Sequence, residues 1–133
     1  MKEVYIVGSA ESDLGVTNKS ILELQAQAIS RAVKDAGIKI ADIDGIATNG
    51  ISRFSATSLA DYLDIDVTFA ESTFAGGSAF EIYVSRAVEA IRAGIVKNVV
   101  ISFASNQRSA KSRKLGGVIE DHTPEAQFES AYG

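Results

Sequence analysis

Cysteine is absent from the 133 residues. That excludes a thiolate nucleophile, a disulfide framework and any zinc site built on sulfur. Histidine is nearly absent too: His122 stands alone, and a serine triad or metal centre would need partners that the residues around it do not supply. No apolar run approaches the length needed to span a bilayer. The first seven residues include an acid and turn polar at Gly8-Ser9, so they lack the apolar core of a secretory signal. The expectation is a cytoplasmic protein with no membrane insertion. Two nucleotide signatures are missing as well. The loop Gly8-Ser9-Ala10-Glu11-Ser12-Asp13-Leu14-Gly15 has the wrong spacing for a dinucleotide fingerprint, and no glycine-rich stretch ends in Gly-Lys-Ser/Thr. A formal charge of -4 argues against a protein that grips nucleic-acid phosphates.

What is present is the alternation of an α/β domain. Hydrophobic residues at 46% and charged residues at 23% match a folded chain with one core. The β-branched run 4–7, closed by Gly8, predicts a buried first strand. Ser20 and Glu23 have capping-box spacing, and Leu22, Ala26, Ile29, Val33 and Ala36 form one apolar stripe, with Gln25 outside it and Gly37 as terminator. Residues 38–44 read as a turn, 45–48 as a strand, 58–63 as a helix and 67–70 as a strand. Ser78 and Glu81 form a second capping-box pattern, opening a helix to residue 93 with a stripe of Val84, Ala87, Val88 and Ile91, closed by Gly94. Residues 99–104 are the most strand-like run of all. Strands alternating with helices predict an α/β fold with a mainly parallel sheet and flanking helices. The core should occupy residues 1–106, while 107–133 is polar and without period.

Three constellations could carry chemistry. Gly76-Gly77-Ser78 places a sharp turn before a helix N-terminus, where unpaired N–H groups and the helix dipole favour an oxyanion, a phosphate or a nucleophile. The bland alternative is that the glycines permit close packing and Ser78 merely caps the helix. The basic residues Arg108, Lys111, Arg113 and Lys114 could meet ligand phosphates or simply be solvated. Asp42 and Asp44 read as turn residues that bond to the backbone.

The order of these features resembles the N-terminal half of the thiolase superfamily, in particular sterol-carrier-protein type thiolases and their thiolase-like relatives. Four stretches carry the likeness. They are Val4-Tyr5-Ile6-Val7-Gly8-Ser9-Ala10; the helix ending Ala36-Gly37 with Asp42-Ile43-Asp44-Gly45-Ile46; Gly76-Gly77-Ser78 with Ala87-Val88-Glu89-Ala90-Ile91-Arg92-Ala93-Gly94; and residues 99–104. Members of that superfamily are longer, two similar halves with His and Cys motifs in the second, so the chain resembles a partial thiolase-like N-terminal domain running into the start of a loop region at 107–133.

The resemblance implies an enzyme acting on acyl-CoA thioesters, with coenzyme A as part of the substrate, no separate cofactor and a homo-oligomeric state. It also implies that Gly76, Gly77 and Ser78 line the acyl pocket, with Gly77 at the position of the acyl-accepting cysteine. Glycine offers no nucleophile there. Cysteine-free relatives include retro-aldol lyases that cleave acyl-CoA side chains, often with a small OB-fold partner protein. Two other readings stand beside this one: a non-catalytic scaffold that docks a partner, and a hydrolase using Ser78, which lacks the Gly-x-Ser-x-Gly elbow.

Overall fold

Helix α1 (Ile21–Ala36) forms where its capping residues place it. The Ser20 hydroxyl accepts from the Glu23 N–H at 3.1 Å, and the Glu23 carboxylate accepts from the Ser20 N–H at 2.7 Å. Each side chain thus satisfies a first-turn donor that the helix leaves open. At the other end Gly37 adopts φ +70, and its N–H turns back to the Lys34 carbonyl. The computed structural model describes residues 3–51, 54–111, 127–128 and 131–132.

After a single 3₁₀ turn (Ile40–Asp42) come β1 (Gly45–Ala47), α2 (Ser55–Tyr62), β2 (Phe69–Glu71), α3 (Ala79–Arg92) and β3 (Val99–Ile101). The strands form one parallel sheet in the order β2-β1-β3. In register, Ile46 faces Ala70 and Val100, while Ala47 faces Glu71 and Ile101. Successive strand residues point to opposite faces, and the core divides accordingly. Ile46 and Val100 join the larger cluster with Leu22, Ile29 and Val33 of α1 and Leu59 of α2. Ala47 and Ile101 instead meet Ala79, Phe80 and Tyr83 of α3. Helices therefore cover both faces of a parallel sheet, the α/β architecture expected.

The turn before β1 is held by Asp44. Its carboxylate accepts from the backbone N–H groups of Lys97 (2.9 and 3.0 Å) and Asn98 (2.8 Å), and its carbonyl accepts from Thr68 and Phe69. The strands on either side of β1 are thus set from one residue, and the structural reading of Asp44 holds.

Several expectations are corrected. Residues 4–7 are not a strand. Tyr5, Ile6 and Val7 are 69%, 86% and 60% exposed, and no ladder reaches them. The segment instead runs along α1, tied by the Ser9 N–H to the Asp35 carboxylate (3.0 Å) and by Arg31 to the Glu11 carbonyl (2.8 Å). An apolar β-branched run sets a preference for extension, whereas a strand needs a partner edge. α2 begins at Ser55, earlier than expected, because the Ser72 hydroxyl accepts from the Ala56 N–H at 3.0 Å. β2 starts at Phe69 rather than 67, at the second of the two N–H groups that bond to the Asp44 carbonyl, and β3 ends at Ile101, with Ser102 N–H to the Ala47 carbonyl as the following bond.

Side-chain placement also differs on two helices. Gln25, read as lying outside the α1 stripe, is fully buried. On α3 the buried stripe is Ala79, Tyr83, Ala87 and Ala90, and Val84 is 46% exposed. Small residues let the helix lie close on the sheet, and Val84 turns outward while Val88 and Ile91 stay half-buried. Of the expected loop region 107–133, residues 112–126, with Arg113, Lys114 and His122 among them, lie outside the described residues.

Candidate functional site

In a parallel sheet every C-terminal strand end opens on the same side, and the loops leaving those ends commonly build the site. Here β1 continues into Thr48-Asn49-Gly50, β2 into Ser72-Thr73, and β3 into Ser102-Phe103. Thr48, Asn49 and Ser102 are buried, and buried polar groups need partners. Gln25, reaching over from α1, supplies two. Its Nε2 donates to Thr48 Oγ1 at 3.2 Å, and its Oε1 accepts from Ser102 Oγ at 3.1 Å. The Asn49 amide donates to the Tyr83 hydroxyl at 3.0 Å, which donates in turn to the Thr73 carbonyl at 2.7 Å. A layer of satisfied polar groups thus fixes all three strand ends.

That layer positions the glycine turn. Ala79, the first residue of α3, packs with Ala47, the last of β1, so Gly76-Gly77-Ser78 sits at the C-terminal ends of the strands. All three are exposed. Gly76 has φ +61, a conformation that favours glycine, and its carbonyl accepts from the Ala79 N–H at 3.2 Å. Gly77 differs. Among the described residues a Cβ there would meet nothing within 4 Å, as at Gly76, but the φ of Gly77 lies outside the left-handed region. Neither backbone nor packing requires glycine at 77.

The expected Ser78–Glu81 capping box does not form. Ser78 is itself helical (φ -71, ψ -9), and its side chain makes no capping bond, because a cap side chain reaches the N2 or N3 donor from an extended backbone. Ile82 N–H already bonds to the Ser78 carbonyl at 3.3 Å. The preceding N–H groups, of Phe80 and Glu81, belong to the turn that a helix leaves without internal acceptors.

An aromatic wall stands beside the turn. The Phe80 ring meets Tyr83 edge-on at 5.4 Å and Phe103 at 5.3 Å. Burial first, then the charge of Glu71, keeps the Tyr83 phenol above its ordinary value against the opposing Asn49 bond, so it remains a protonated donor. Glu71 is held below the usual carboxylate range, chiefly by the Thr73 hydroxyl and with help from backbone N–H groups. It is therefore an anion rather than a proton donor near neutrality. Among the described residues no group of three His, Asp or Glu side chains could hold a metal ion, and no helix is long and apolar enough to cross a membrane.

Phe103 also lines a cavity of about 440 Å³ between the 12–17 loop, α1 and the segment after β3. Sequence reading passed over this cavity, Asn49 and Tyr83; the polar triplet after β1 and the aromatic closing β3 were the available signals. The structure brings Gly76, Gly77 and Ser78 together with the strand ends. Of the basic residues, Arg108 lines the cavity.

No protein-family model matches the chain. Over 109 residues it is 32% identical to the 17-hydroxy-3-oxo-4-pregnene-20-carboxyl-CoA lyase of Mycobacterium tuberculosis (strain ATCC 25618 / H37Rv), covering 80% of this chain and 28% of that protein. Over 101 residues it is 32% identical to the steroid side-chain-cleaving aldolase of Thermomonospora curvata, covering 75% and 26%. A solved structure of an Ltp2-ChsH2(DUF35) aldolase superposes with a TM-score of 0.71 at 26% identity, over 95% of this chain and 31% of that one. The chain is similar to steroid side-chain-cleaving aldolases. It spans less than a third of each of these relatives.

Proposed function

We propose that the chain is the N-terminal portion of a thiolase-like enzyme that acts on acyl-CoA thioesters and cleaves a carbon–carbon bond by retro-aldol chemistry. The observation that carries this reading is Gly77, a position with room for a side chain and none present, in a chain whose relatives are a CoA-ester lyase and an aldolase. Retro-aldol cleavage needs no acyl-enzyme. A base takes the proton of the β-hydroxyl, the Cα–Cβ bond breaks, its electron pair passes into the thioester enolate, and Cα is then protonated. The enzyme's task is to hold the thioester oxygen while it gains charge.

In this reading Gly76, Gly77 and Ser78 line the pocket around the thioester, and the open N–H groups at the start of α3 face the developing oxyanion, aided by the dipole of a 14-residue helix. The base comes from elsewhere in the protein. Ser78 contributes as part of the turn and not as a nucleophile. A homo-oligomer and a small OB-fold partner belong to the same proposal; the two-component description of the solved aldolase supports the partner.

The test is incubation of the purified full-length protein, alone and with its co-purifying partner, with a β-hydroxyacyl-CoA. Mass spectrometry should find a carbonyl product and the shortened acyl-CoA, with Ser78→Ala retaining activity. Loss of all turnover in Ser78→Ala would favour a serine hydrolase. Partner binding with no CoA-ester turnover would favour a non-catalytic docking subunit, for which the missing side chain at Gly77 is the motive.

A further inference from the structure

The basic run that opens at Arg108 is not explained by the turn chemistry, yet the structure brings its first member to the cavity beside the site. Leu14, Leu24, Phe103 and Ala104 supply apolar walls, and Ser105 and Arg108 supply polar ones. A volume of about 440 Å³ falls in the range of small-molecule sites, roughly 300–1,000 Å³.

Two charged residues line this space, and among the described residues only one of them has an oppositely charged partner. The Asp13 carboxylate is taken up by Lys19 (2.6 Å), Arg31 (2.7 Å) and Gln27 (2.9 Å), which hold it well below the usual carboxylate range. Arg108 has no acidic partner among the described residues. The walls are latched together: Ser109 Oγ, one residue beyond Arg108, accepts from the N–H groups of Thr17 (3.0 Å) and Asn18 (3.1 Å). The segment carrying Arg108 is thereby fixed against the loop that forms the opposite wall.

Phe103 joins this cavity to the turn. It lines the cavity and its ring meets Phe80, two residues after Ser78. An extended ligand with its reacting group at residues 76–78 could therefore pass over Phe103 and end beside Arg108. The chemistry of that path, apolar in the middle and ending in a guanidinium with no acidic partner among the described residues, suits an amphiphile with an anionic terminus. Guanidinium favours phosphate oxygens, which it meets with two parallel bonds.

We infer that this cavity takes the phosphate-bearing arm of the CoA ester, with Phe103 against the pantetheine chain and Arg108 on a phosphate. The inference rests on the acyl-CoA reading above, and its test separates the two. Calorimetry of the full-length protein would use CoA, pantetheine, which has no phosphate, and a free carboxylic acid of the acyl type. Arg108→Gln should weaken CoA binding about tenfold or more and leave pantetheine binding unchanged, with Arg108→Lys intermediate. Unchanged CoA affinity in Arg108→Gln, or equal losses for CoA and pantetheine, overturns the role of Arg108 while leaving the acyl-CoA reading in place. A loss confined to the free acid assigns Arg108 to an acyl carboxylate and equally overturns the phosphate assignment. A wild-type protein that neither binds CoA nor turns over a CoA ester overturns the reading itself.

Discussion

Replacing Gln25 by methionine should expose how strongly the strand ends depend on one side chain. Methionine keeps the unbranched shape and approximate volume but removes both polar atoms. The amide is fully buried and bridges Thr48 and Ser102, at the ends of the central and one edge strand. Without it, the Thr48 hydroxyl loses its amide donor and the Ser102 hydroxyl its acceptor. An orphaned buried polar group costs about 1–3 kcal/mol. Ser102, 8% exposed, can recover part of that from water, whereas Thr48 cannot, so the sum should be about 3 kcal/mol. The triple variant Gln25→Met, Thr48→Val, Ser102→Ala removes all three polar groups together and should recover most of the loss, to within about 1 kcal/mol of the parent. Urea unfolding followed by circular dichroism gives each value, provided the slope is constant across the set. A single-variant loss under about 0.5 kcal/mol, or a triple variant as unstable as the single, would refute this account of the layer.

Gly8→Ala should destabilise by about 1–3 kcal/mol, because a Cβ there would lie 2.4 Å from the Ala32 carbonyl oxygen and 2.9 Å from Ala36; Gly77→Ala, with open space around it, should change stability by less than about 0.5 kcal/mol in the same unfolding experiment. Tyr83→Phe strips the hydroxyl that links Asn49 to the Thr73 carbonyl and should cost about 1–2 kcal/mol, with faster amide exchange in residues 72–78 as the local signature. Glu71 has a folded-state pKa below its unfolded one, so its stabilisation is complete above the ordinary carboxylate range and is lost as pH falls through the folded value. Thermal melts across the acid limb should accordingly be flatter for Glu71→Gln than for the parent, and parallel curves would remove Glu71 from the account.

Legibility in the sequence followed how local each determinant is. The ends of α1 were readable because Ser20, Glu23 and Gly37 act within a few residues of themselves. The Asp44 turn was readable as structural, although its partners Lys97 and Asn98 lie far along the chain. Residues 4–7 misled because extension is a local preference and pairing is not. Gln25 misled because its burial depends on two hydroxyls arriving from other strands. At Ser78 the pattern matched but the backbone did not: the residue is in a helical conformation and its side chain makes no capping bond. The stripe on α3 shifted for a packing reason, since the alanines allow closer approach than Val84 and its neighbours would.

These failures share a direction that bears on the site. At the strand ends, polar residues that look dispensable in sequence are buried and paired, while at residues 76–78 the glycines bring no side chain and that of Ser78 makes no capping bond. Rigid surroundings with an unfilled centre are what electrostatic stabilisation of a transient charge requires, because donors already held in place need no reorganisation when the charge appears. A nucleophile would need the opposite arrangement, a side chain projecting into the space and a base beside it. Gly77 with open space, Ser78 without a base among the described residues, and Glu71 committed to Thr73 each disfavour covalent catalysis from this segment. Together they accord with the proposed reading, in which this segment holds and polarises a thioester and proton transfer falls to groups outside it.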